Sequence, residues 1–273
     1  MAAGLLLCQL TLMGVRWWYL LAFHGAPVGL WATLRVMYIG HFFNFFLPGS
    51  TGGDVVRAVL IARATPRRTE AVATVLLDRF VGLAGMAALA AAMTLATWGN
   101  PQTQRAALTV AVVVAVILVS AAVMFSRRVA HAVGLEALIA RLPRSETFRL
   151  AAHTLRMLPR CPRAAAVTTA LTLGVHLLLP AAVACIGLSL GLAVPAYLYF
   201  LFVPVIYILA AVPVSIGGLG LVEGMYILFF AASPAVDPSG VLAMALLARL
   251  TPMLLSLPGL AFWLMDRGPA RRL

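Results

Sequence analysis

The sequence predicts an all-α polytopic membrane protein: a transmembrane helix bundle of about seven or eight spans, with two broken or re-entrant helices and a candidate inverted repeat. Three observations carry this. Hydrophobic residues make up 63% of the chain and charged residues 10%, with a mean hydropathy of +1.02, whereas soluble domains carry roughly 25% charged residues. Apolar runs recur along all 273 residues, enough for spans of about 20 residues each. Finally, one pattern interrupts two of those runs, as Pro48-Gly49-Ser50-Thr51-Gly52-Gly53 and as Pro213-Val214-Ser215-Ile216-Gly217-Gly218. Proline and glycine release backbone groups that lipid cannot hydrogen-bond, so such breaks survive only inside protein or beside a water-filled cavity.

Spans are expected near 4–23, 29–47, 70–98, 106–125, 164–188, 195–213 and 239–263, with shorter pieces at 53–63 and 219–232; together they read as one membrane domain over 1–273. In the first span, Arg16-Trp17-Trp18-Tyr19 reads as an interfacial anchor with its rings at head-group depth. The second ends in Phe42-Phe43-Asn44-Phe45-Phe46, apolar on nearly every side. His41 and Asn44 share one face of it, just before Pro48. The 53–63 and 219–232 pieces are too short to cross alone, and each follows one of the two breaks.

The formal charge of +12 arises from 20 Arg, without Lys, against eight acids. In a soluble protein this balance would suggest nucleic acid. Here the arginines gather in loops beside apolar spans, which argues for a membrane and against a nucleic-acid partner. The stretch 126–163 is a basic loop, cytoplasmic by the positive-inside rule, and Arg63, Arg67 and Arg68, then Arg267, Arg271 and Arg272, fall on the same side. Arg16 and Arg35 put the 24–28 turn there too, with the N-terminus outside. Helix 29–47 then runs outward and 53–63 returns, whereas 195–213 runs inward and 219–232 returns: opposite senses, as in an inverted repeat. Within the basic loop, Leu135, Leu138, Ile139 and Leu142 recur at helical spacing. Two readings stand, a solvated connector and a helix lying on an anionic leaflet.

Six charged residues fall within or at the ends of apolar runs: Asp54, Arg57, Asp78, Arg79, Glu223 and Arg249. They sum to zero, and each costs at least roughly 2.5 kcal/mol when central and unpaired, so pairing inside the bundle is expected. Asp54 has Arg57 as its i+3 partner and stands where a helix cap would. Alternatively the helix start, with Arg57 one turn on, faces an anionic head group. Asp78 and Arg79 point about 100° apart on their helix, so each needs a partner elsewhere. Arg249 has no acid within a turn, which leaves Glu223 or Asp78 as its counter-ion. The set either clamps the bundle or contacts substrate. The candidate binding residues are accordingly Asn44, Ser50, Gly52, Gly53, Asp54, Arg57, Asp78, Arg79, Ser215, Gly217, Gly218, Glu223 and Arg249.

No HExxH, GxSxG, Walker A or Rossmann pattern occurs, and no cluster has metal-ligand spacing. No catalytic residue, cofactor or metal is expected. Cys8, Cys161 and Cys185 are too scattered for a disulfide framework and read as packing residues.

Taken together, Arg16-Trp17, Asn44-x-x-Leu47-Pro48 leading into Gly52-Gly53-Asp54-x-x-Arg57, Asp78-Arg79-x-x-Gly82, Ser215-x-Gly217-Gly218-x-Gly220-x-x-Glu223 and the Arg249 helix resemble the lysylphosphatidylglycerol synthase transmembrane (flippase-like) family. The resemblance covers nearly the whole chain. Well-known members fuse this membrane domain to a soluble aminoacyl transferase; this chain reads as a stand-alone member without it, and it starts within a span that others precede with a further helix. The resemblance implies a lipid transporter of the bacterial inner membrane, handling a phospholipid or lipid-linked precursor, anionic or phosphate-bearing. Two alternatives remain: a non-catalytic partner of a lipid-modifying or glycosyl transferase, and an intramembrane lipid transferase using Asp54 or Asp78 as base.

Overall fold

A computed structural model describes residues 1–47, 52–125, 160–211, 218–232 and 236–266, together with 150, 151, 153 and 157. Pro48, Ser50, Ser215, Gly217 and nearly all of the basic loop lie outside the described residues, and so does the leucine pattern in that loop. The described residues form ten helices and no strand: α1 (Ala2–Phe23), α2 (Leu30–Phe46), α3 (Gly52–Arg63), α4 (Arg68–Ala96), α5 (Pro101–Phe125), α6 (Pro162–Ser189), α7 (Ala196–Leu209), α8 (Leu221–Phe230), α9 (Pro238–Leu255) and α10 (Leu257–Asp266). Among them, α1, α4, α6 and the run Pro238–Asp266 are long and apolar enough to cross a membrane.

The helices follow the apolar runs, with differences that proline explains. The expected span 239–263 is two helices. Pro258 has no N–H to give the carbonyl four residues back, and its ring crowds that carbonyl. The ladder therefore stops at Ser256, whose N–H reaches Pro252 O at 3.0 Å and whose hydroxyl donates to Met253 O at 2.7 Å. At the other extreme, α5 starts five residues earlier than its apolar run, because Pro101 suits a first helical position where no donor is needed. The expected 195–213 span ends as a helix at Leu209.

Around α1, the bundle brings α6, α2 and α4 together; α3 and α10 both pack on α2, and α7 packs on α4 and α6. One apolar core gathers α7 residues such as Leu201, Val205 and Ile206 with Tyr226 and Met244, and a second joins Trp17, Leu21, Met37, Ile61 and Val75. Where α3 meets α2 the backbones touch. A Cβ at Gly53 would lie 1.9 Å from Gly40 O, so only glycine fits that crossing.

Three chain turns meet at one end. Arg67 Nη1 stands 2.8 Å from where a Cβ on Gly25 would be, and Arg35 pairs with Asp266. The 24–28 turn, the 63–68 connection and the end of α10 are thus neighbours. From that end α2 extends about 25 Å, and α3 returns about 18 Å at 1.5 Å per residue. The start of α3 thus lies about 18 Å from that end of the bundle.

Candidate functional site

The interior starts of α3 and α8 are each held by a side-chain acceptor. Asn44 Oδ1, near the end of α2, accepts the Gly53 N–H at 2.8 Å. This differs from the expected cap by Asp54, whose carboxylate is engaged by two arginines instead. At the second break, Gly218 and Gly220 both take φ of +77°, a left-handed backbone open to glycine at no steric cost. Glu223 Oε2 then accepts the Gly220 N–H at 2.8 Å, while its Oε1 takes Arg249 Nη1 at 2.8 Å. One carboxylate thus ties the turn before α8 to the middle of α9.

The remaining charges form an alternating chain. Arg16 Nη2 lies 2.9 Å from Asp78 Oδ1, and its Nε donates to the same oxygen at 3.0 Å. Arg57 Nη2 takes Asp78 Oδ2 at 3.1 Å, and its Nη1 takes Asp54 Oδ1 at 3.0 Å, the i+3 pair that the sequence predicts. Arg79 Nη1 closes the chain 3.5 Å from Asp54 Oδ2. Asp78 and Arg79 diverge on α4, which is why one reaches Arg16 on α1 and Arg57 on α3 while the other reaches Asp54. The Arg57 guanidinium sits 4.1 Å above the Trp17 ring, and Trp17 Nε1–H donates to Thr74 Oγ1 at 3.0 Å. That sandwich fixes the plane of Arg57 between a carboxylate pair and an aromatic face.

Arg16 and Trp17 overturn a sequence expectation. They are 2% and 0% exposed, so the pair is not an interfacial anchor but part of the interior. Arg16 stands seven residues before the end of α1, about 10 Å inside it, and that depth was the available signal. With Arg16 included, four arginines and three acids among the described residues gather here.

These groups enclose a cavity of about 260 Å³. Arg16, Asp54, Arg57, Asp78, Arg79 and Arg249 line it, with Glu223 behind Arg249. Asn44 and His41 enter from α2, Gly82 from α4 and Gly218 from the second break. Leu6, Met13, Leu83, Met86 and Leu179 supply apolar wall. Of the sequence candidates, Asn44, Asp54, Arg57, Asp78, Arg79, Gly218 and Arg249 meet at this cavity. Gly52 and Gly53 build the turn beside it, Gly52 against Leu47 and Gly53 against Gly40 and Asn44. His176 and Tyr207 also line it without having been singled out. For His176 a signal existed: Thr168, Thr172 and His176 recur every fourth residue and are all buried on α6.

Chemically, the arrangement offers fixed guanidinium groups, two carboxylates facing the same space and an apolar flank. That suits a phosphate-bearing amphiphile. Among the described residues no cluster of His, Cys, Asp and Glu has the make-up of a metal site. A family model described as "Lysylphosphatidylglycerol synthase TM region" matches residues 1–259. No curated protein and no solved structure matches the chain.

Proposed function

The chain belongs to the lysylphosphatidylglycerol synthase transmembrane family, and from that premise we infer that it moves or handles a membrane lipid, a phospholipid or a lipid-linked precursor, in the manner of a flippase. The single observation that carries the reading is the arginine-rich cavity inside the bundle. Ionisable groups at membrane depth are costly, so a chain of three arginines and two acids, buried at Arg16, Arg57 and Asp78 and opening on a cavity, is better explained by a charged cargo than by packing alone. The head group enters between the α3 start and the α8 turn, with its phosphate toward the arginines and its acyl part along Leu83, Met86 and Leu179. The two broken helices act as opposed halves of an inverted repeat, and the protein resides in the bacterial inner membrane with the 126–163 loop on the cytoplasmic side.

The test is a proteoliposome assay that follows fluorescent phospholipids and lipid-linked phosphates between leaflets. The expected result is movement faster than in protein-free vesicles and slowed by Asp54→Asn or Arg79→Gln. Rates equal to protein-free vesicles for every head group would refute it.

A further inference from the structure

His176 lines the cavity at 4% exposure, and neither of its ring nitrogens meets a hydrogen-bond partner among the described residues. A polar group buried in that way has given up its water without a replacement, a penalty that Val175 and Leu179 on the same helix and the same cavity do not carry. Packing alone would be served better by a third aliphatic side chain.

The seat for this ring is made by α4. Gly85 has no Cβ, and one built there would lie 2.6 Å from His176 Cδ2 and 2.8 Å from its Nε2. One turn earlier on α6, Thr172 Oγ1 accepts Arg16 Nη1 at 3.5 Å, and Arg16 Nη2 lies 3.5 Å from where a Cβ on Gly82 would stand. The imidazole is therefore placed beside the Arg16 end of the alternating chain.

Its neighbours decide what chemistry is left to it. The Gly82 carbonyl stands next to the ring without completing a well-formed hydrogen bond. A carbonyl only accepts and can take a single ring N–H, so the other nitrogen of the neutral imidazole, the ordinary form at neutral pH, is a bare acceptor. The guanidinium groups of the cavity only donate, which suits phosphate oxygens, and Asp54 and Asp78 each already accept from two arginines. We propose that His176 is a specificity-determining residue: its acceptor nitrogen takes a hydrogen bond from a hydroxyl or ammonium group that the head group carries beside its phosphate, so that phosphate esters bearing such a donor are preferred. This rests on the lipid-handling reading and names the substrate class within it. A head group without the donor leaves the nitrogen unpaired in a buried place, and that loss is the source of discrimination.

The experiment measures binding to the purified full chain in detergent micelles, by ligand-dependent thermal shift and titration, with two pairs of lipids matched in charge. Phosphatidylglycerol against phosphatidylmethanol isolates the hydroxyl, and phosphatidylethanolamine against phosphatidylcholine isolates the ammonium N–H. In at least one pair the wild type should bind the donor-bearing lipid about tenfold more tightly, and that pair names the donor. His176→Leu should abolish the preference, whereas His176→Gln, whose amide oxygen still accepts, should restore part of it. The leucine variant should also unfold at or above the wild-type midpoint, because it removes an unsatisfied buried group; a residue kept only to hold the bundle would give a fall. If leucine does not fold in that seat, His176→Met, with a flexible side chain that fits irregular gaps, carries the test. Equal affinities within both wild-type pairs, or a preference that survives in the folded leucine or methionine variant, would overturn the proposal. Binding of all four lipids without donor preference overturns only this proposal, while failure to bind any of them overturns the lipid-handling reading and this one with it.

Discussion

Arg16 Nη2 lies 2.9 Å from Asp78 Oδ1, joining residues 62 positions apart on α1 and α4 in a contact nearly closed to solvent. Two buried arginines share Asp78, because Arg57 takes its other oxygen at 3.1 Å. Removing it leaves two guanidinium groups without their common counter-ion. Asp78→Ala should lower stability by about 3–5 kcal/mol, the usual cost of breaking a buried pair from one side. Detergent-solubilised thermal unfolding measures it; a loss under 1 kcal/mol would mean that water or other groups already satisfy the arginines.

The start of α3 offers a graded pair of tests. Asn44→Ala deletes the acceptor for the Gly53 N–H and should cost about 1 kcal/mol. Gly53→Ala puts a methyl group where Gly40 O stands and should cost about 1–3 kcal/mol through overpacking. If the alanine at 53 is tolerated as well as the one at 44, the α2–α3 contact is looser than described.

Glu223 has two duties that substitution separates. Glu223→Gln keeps an oxygen for the Gly220 N–H but gives up the ion pair to Arg249, whereas Glu223→Ala loses both. Lipid movement should fall in both variants. Only the alanine should also lower stability by about a further 1 kcal/mol, the value of a helix-start acceptor. Thermal unfolding of the two proteins side by side decides this, and identical midpoints would contradict it.

In the turn after α1, burial holds the His24 imidazole below its ordinary pKa of 6.5, against an opposing pull from Glu70 and with a smaller push from His153. The unfolded chain therefore takes up this proton first as the pH falls. Stability from this residue is full above about pH 6.5 and declines as the pH drops through that value. His24→Gln should flatten the dependence of unfolding midpoint on pH between about 7 and 5. An unchanged slope would assign the effect to another group.

Much of the fold was legible because lipid leaves the chain few options. A run such as 164–188 must satisfy its own backbone, and α6 follows it to within two residues. The Asp54–Arg57 pair was legible because three residues on a helix are neighbours, and Glu223 stood among two candidates for Arg249. The stop at Ser256 was written in Pro258 but hidden by the continuous hydropathy around it. Arg16 was misplaced because an Arg-Trp pair reads alike at a membrane surface and in a bundle interior; beyond its depth within α1, only the neighbouring helices, which bring Asp78 to Arg16 and Arg57 to the Trp17 ring, distinguish them.

The sequence by itself determined the all-helical membrane class, the two helix breaks and the pairs that lie within one turn. Those follow from hydropathy, proline and helical period, which act over a few residues. Tertiary structure alone decided that Asp78 answers to Arg16 and Arg57, that Asn44 rather than Asp54 holds the α3 start, and that Arg16 joins the charges around the cavity. Those choices depend on which helices pack together. In a low-dielectric interior a charge takes whichever partner that packing brings within about 3 Å.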